Sequence, residues 1–108
     1  MNNIKTISVH ELHKKLGKVN LIEIRESCEV NGAKIPTSEI ILSIGLYFND
    51  SFLLDIKKEY YVATLSNLQS TKPISYLIEK GYNIIYVDGG TQEYSKHYPM
   101  EYLKKSSC

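Results

Sequence analysis

The sequence predicts an α/β domain built on an open, mostly parallel sheet of about five strands with helices on both faces. Short β-branched or aromatic runs at Ile4 to Ile7, Asn20 to Ile24, Ile40 to Leu42, Tyr60 to Val62 and Asn83 to Val87 alternate with helical patterns. The runs are nearly continuously apolar, as strands covered on both sides must be. Strands that alternate with helices pair in parallel through crossovers, which are right-handed in nearly all cases.

Each element has a local reason. Ser8-Val9-His10-Glu11 has the spacing of a capping box, so a helix starts there with Val9, Leu12 and Leu16 on one face and stops at Gly17. Arg25-Glu26-Ser27-Cys28-Glu29 reads as a charged loop, and Ile35-Pro36 breaks any helix before the third strand. A helix is expected from about residue 51 to 58, capped by Asp50 or Ser51. Pro73 fits only a first turn, so the next helix begins near residues 69–71, packs Leu77 and Ile78 inward and ends at Gly81. Asp88-Gly89-Gly90 is a tight turn, Thr91 the expected cap of a short helix ending before Pro99, and residues from about 100 a helical or frayed tail.

At 108 residues, 1–108 reads as a single domain large enough to bury its own core. Thirteen basic and twelve acidic residues give a formal charge of +1, too little to gather nucleic acid or an anionic membrane. No segment approaches the roughly 20 apolar residues of a bilayer span, and Met1 to Lys5 opens with no signal-like run, so a cytoplasmic location is expected. Cys28 and Cys108 lie far apart without CxxC spacing or a nearby histidine, which indicates free thiols and neither a disulfide framework nor a metal site. Neither a metal nor another cofactor is expected.

The chemistry, if any, belongs to the loop after the central strand, because ligands of open α/β sheets bind at the carboxyl ends of strands, against loop amides and the next helix. That loop is Thr64-Leu65-Ser66-Asn67-Leu68-Gln69-Ser70, and it contains no cysteine, histidine, acid or base. It holds no ordinary nucleophile or acid-base pair.

The order of motifs resembles a single-domain rhodanese. Leu21-Ile22-Glu23-Ile24-Arg25-Glu26 is similar to the strand ending Asp-Val-Arg-Glu, and Ala33-Lys34-Ile35-Pro36 to the Gly-His-Ile-Pro loop. Tyr76 to Tyr82 with Gly89-Gly90 is similar to the closing helix, strand and Gly-Gly, so the resemblance runs from Ile7 to about Tyr94. It implies the rhodanese fold, and in active members a loop Cys-Arg-Ser-Gly-x-Arg-Ser. Against that loop, Thr64 stands at the cysteine, Leu65 and Gln69 at the two arginines and Asn67 at the glycine, while Ser66 and Ser70 match. The family reaction needs a thiolate to take the outer sulfur of thiosulfate as a persulfide, stabilised by nearby cations. A threonine hydroxyl is protonated at neutral pH, and oxygen carries no persulfide. The resemblance therefore implies the fold without the activity: a non-catalytic domain with a binding, regulatory or structural role.

Several readings stay open beside this one. Thr64 to Ser70 either cradles a small anion or a peptide or, the preferred reading, is closed by Leu65 and Leu68. The alternative function is a sulfurtransferase or sulfur carrier using Cys28 or a partner's thiol, although Glu26 and Glu29 beside Cys28 disfavour its thiolate. His10 and His13 read as solvated histidines, Arg25 and Glu26 as loop salt bridges or substrate contacts, and Cys108 as an exposed thiol. Tyr94, Tyr98 and Tyr102, four apart, would form a stripe that binds a partner or packs back on the domain, and an unknown protein partner or self-association is open for the chain as a whole.

Overall fold

Five strands make one parallel sheet: β1 (Lys5–Ile7), β2 (Leu21–Arg25), β4 (Glu39–Leu42), β5 (Glu59–Ala63) and β6 (Asn83–Val87), in the order β1-β6-β5-β2-β4. The architecture is seen in a computed structural model that describes residues 4–26, 32–66 and 71–102, with Thr71 described for its backbone alone. The expected α/β fold class is present. Period-two alternation sends neighbouring side chains to opposite faces. Tyr60, Val62, Ile84 and Tyr86 join Ile22 and Ile24 in one core, under α2 (Ser43–Leu53) and α3 (Thr71–Glu79). Tyr61, Ala63, Ile85 and Val87 enter the other, under α1 (Val9–His13) and α4 (Gly90–Ser95).

Several local expectations are corrected. Ser8 caps α1 by accepting from the Glu11 amide at 3.1 Å, but the helix ends at His13, and turns carry the chain to Gly17 at φ +81°. Arg25 lies within β2 and is buried; it is not a loop residue. The helix expected at 51–58 is α2, which begins eight residues earlier and ends at Leu53, with a kink at Asn49 (φ −137°, ψ 30°). Asp50 is therefore no cap: its carboxylate accepts from the hydroxyls of Tyr76 at 3.0 Å and Tyr82 at 2.8 Å, with Lys80 Nζ at 3.9 Å. Pro73 stands third in the described helix, in the first turn as its missing amide requires. Leu77 is fully buried, whereas Ile78 is 39% exposed on the outer face.

The chain after α4 is not a helix. Glu101–Tyr102 is a strand, β7, antiparallel to β3 (Ala33–Lys34), and Lys34 meets Glu101 at 3.1 Å. With α4 ending at Ser95, the tyrosine stripe does not exist as a unit. Tyr94 is fully buried, Tyr98 packs against that core, and Tyr102 projects from β7 at 84% exposure. His10 and His13 are not simply solvated: their Nδ1 atoms lie 2.7 Å from the hydroxyls of Tyr98 and Tyr94, and the His13 and Tyr98 rings stack at 3.9 Å. Burial, and secondarily Tyr98, pushes the Tyr94 phenol up.

The Asp50 latch makes a pH dependence. The Tyr82 hydrogen bond is the largest factor holding the Asp50 carboxyl below its ordinary 3.8, so its contribution is present above that value and is lost as acid protonates the folded carboxylate. Burial first, then the bond to Asp50, pushes Tyr82 from 10.0 to about 12; its contribution is complete below pH 10 and is lost as pH rises through about 12. Tyr82→Phe is expected to lower stability at neutral pH and to flatten the alkaline decline between pH 10 and about 12. Urea unfolding at a series of pH values checks this, and an unchanged decline would show that another group titrates.

Candidate active site

The strand-end site is built around a carboxylate inside the sheet. Glu23 is an acid in an otherwise apolar segment, and all five residues of β2 are buried. Its side chain lies on the α1/α4 side, fully buried, and collects four donors. Oε1 accepts from Arg25 Nη2 and Thr91 Oγ1, each at 2.6 Å. Oε2 accepts from the Ile35 amide at 2.7 Å and Ser38 Oγ at 2.6 Å. Four donors on one carboxylate meet the requirement that a buried charge be paired and hydrogen-bonded. Arg25, 3% exposed, also donates from Nη2 to the Ala33 carbonyl at 2.7 Å. The hub thus ties β2, the β3–β4 connection and α4 together.

Thr64 follows β5 directly and is 2% exposed. Its Oγ1 donates back to the Ser66 carbonyl at 2.9 Å, so the hydroxyl is spent within its own turn. The Thr64 and Leu65 carbonyls accept from the amides of Thr91 at 2.9 Å and Gln92 at 3.0 Å, which clamps the start of the loop onto α4. The clamp depends on Gly90. At φ +65° it takes a backbone conformation that side chains resist, and a Cβ there would lie 2.1 Å from the Thr64 oxygen. Thr91 is therefore no helix cap, since Gly89 holds that position and the Thr91 hydroxyl points to Glu23.

Beside this clamp lies a cavity of about 370 Å³, bounded by Arg25 and Ala33, by Leu65, by Thr91, Gln92 and Ser95 of α4, and by Met100. Leu65 forms one wall. Among the described residues the lining apart from Arg25 is apolar or neutral, and the guanidinium is matched by Glu23 at 2.6 Å. Of the expected site residues the structure brings together Thr64, Leu65 and Ser66. Asn67, Leu68, Gln69, Ser70, Cys28 and Cys108 lie outside the described residues. Among the described residues no three His, Cys, Asp or Glu side chains are grouped to hold a metal ion, and no helix is long and apolar enough to cross a membrane. Sequence reasoning missed Glu23, Ser38 and Thr91 as a unit; the available signal was a single acid inside an apolar strand.

An open parallel sheet with a crevice at the carboxyl end of its central strand defines the class: an α/β domain with its site in the strand-end loops. Within that class the chain has the fold of rhodanese-like domain proteins. It superimposes on a rhodanese-like domain protein from Staphylococcus aureus with a TM-score of 0.77 at 25% identity, over 94% of this chain and 100% of that one. A rhodanese-related protein from Thermoplasma volcanium gives 0.77 at 25% identity, over 89% and 96%. A protein from Staphylococcus saprophyticus subsp. saprophyticus gives 0.79 at 25% identity, over 92% and 100%. No family model matches the sequence, and no curated protein matches it by sequence.

Proposed function

We propose that this rhodanese-like domain is non-catalytic and serves a binding, regulatory or structural role. The observation that carries the reading is Thr64: a hydroxyl stands where the resemblance places the sulfur nucleophile, buried and donating to the Ser66 carbonyl. A nucleophile must present a deprotonated atom to its substrate, and this oxygen has neither a base beside it in the loop sequence nor an open path. The cavity beside Leu65 supports a retained binding role, and its balanced charge favours a neutral group or a peptide side chain over an anionic sulfur donor.

The test is turnover of thiosulfate and cyanide to thiocyanate by the purified chain. The expected result is no turnover above the uncatalysed rate, and little gain from Thr64→Cys, because Leu65 and Gln69 still stand where cations stabilise the persulfide. Turnover abolished by Cys28→Ser would overturn the reading in favour of a sulfurtransferase using that thiol. Robust turnover by Thr64→Cys alone would show that the missing cations are dispensable.

A further inference from the structure

The outer face of α2 is the most apolar exposed surface among the described residues. Ile44 and Phe48, four residues apart before the kink at Asn49, are 60% and 78% exposed, and Phe52 just beyond the kink is 88% exposed. Tyr47, Leu53 and Ile56 flank them, each 39–50% exposed. Free aromatic side chains present roughly 150–250 Å² each, so the two phenylalanines alone offer on the order of 300 Å². With their neighbours the patch approaches the roughly 800 Å² that each partner contributes to a stable interface, beyond the roughly 300–600 Å² of the largest patch on an ordinary monomer.

We propose that this face is the interface of a two-fold homodimer, with α2 of one copy against α2 of the other. Charge favours a second copy. A two-fold contact sets the same surface against itself, so a charged face would meet its own sign. The sequence of α2 holds one charged residue, Asp50, which is 13% exposed and turned inward to Tyr76 and Tyr82. No Lys or Arg borders the apolar ridge within the helix, as it would in a helix made for a membrane surface. Shape favours it too. Phe52, the most exposed of these side chains, stands at the rim of an open hollow of about 450 Å³, whose walls include Leu54, Tyr60 and Tyr82 together with Asp55 and Lys58, two charges of opposite sign. A projecting ring beside a hollow is the kind of self-complementary pair that an isologous contact requires, each ring entering the partner's hollow. That hollow reaches Tyr60 near the amino end of β5, at the opposite end of the strand from Thr64, so this inference stands independently of the proposed function.

Sedimentation equilibrium of the full chain from micromolar to millimolar concentration tests the proposal. The mass is expected to rise from monomer to dimer and not beyond. Phe48→Glu and Phe52→Glu are each expected to weaken the dimer roughly 30-fold or more, as removal of a hot-spot side chain does. Because both side chains are exposed in one copy, the variants should keep the wild-type circular dichroism spectrum. In the wild type, dilution should shift backbone amide resonances in α2 and around the hollow. A monomer at every concentration, a dimer indifferent to both substitutions, or dilution shifts confined to other elements would overturn it. So would monomers that sediment with phosphatidylcholine vesicles, which would assign the patch to a lipid surface.

Discussion

Glu23→Gln is expected to destabilise the domain by about 3–5 kcal/mol, the range for breaking a buried ion pair by removing one partner. The substitution keeps the volume, so no cavity confuses the result. What changes is the polarity of the atoms that face four donors. One amide oxygen replaces two carboxylate oxygens, the amide nitrogen is turned toward an N–H or O–H, and Arg25, 3% exposed, keeps its charge while Glu23 loses its own. A domain whose whole stability is about 5–15 kcal/mol would lose a large fraction of it. The loss should appear as a lower urea midpoint with an unchanged slope. Adding Arg25→Met should cost less than the two single changes summed, because the two side chains share one ion pair that the first change already breaks. It should not restore the wild type, because Ile35, Ser38 and Thr91 still face the altered side chain. A loss under about 1 kcal/mol for Glu23→Gln would mean that water reaches the site and that the hub does not hold the fold.

How much of this was legible in the sequence follows from the range of the interactions involved. The five parallel strands could be read because each is a short apolar run whose character is set by its own residues. The loop at Thr64 could be read because it is contiguous. Glu23 could not, because its donors come from positions up to 68 residues away and nothing in Leu-Ile-Glu-Ile says that they converge. The same holds for α2. Asn49-Asp50-Ser51 looks like a break, yet the helix passes through it with a kink while Asp50 is engaged by tyrosines 26 and 32 residues later. The tyrosine spacing misled in the opposite direction: a four-residue period means one face only while the helix lasts, and α4 ends before Tyr98. Gly89-Gly90 was recognisable as a turn, but its close approach to Thr64 is a property of packing alone.

Gly90→Ala tests that approach, and Gly81→Ala is its natural control. Both glycines have positive φ, +65° and +96°, so both variants carry the roughly 1–2 kcal/mol that a side chain adds in the left-handed region. At Gly81 the added carbon meets Ile56 Cδ1 at 3.8 Å, an ordinary contact, and the loss should stop near that figure. At Gly90 the added carbon would lie 2.1 Å from the Thr64 oxygen and about 3 Å from the carbonyl carbons of Thr64 and Leu65, at 3.1 and 3.2 Å. These are backbone atoms at the end of the central strand, so no rotamer change relieves the clash and α4 must move away. Movement breaks the bonds from the Thr91 and Gln92 amides and draws the Thr91 hydroxyl from Glu23, each with a cost of about 1 kcal/mol or more for a buried group left unsatisfied. Gly90→Ala should therefore lose roughly 4 kcal/mol or more, against about 1–2 for Gly81→Ala. Faster amide hydrogen exchange at Thr91 and Gln92 should accompany it. Equal losses in the two variants would show that backbone conformation alone accounts for Gly90 and that α4 does not clamp the Thr64 turn.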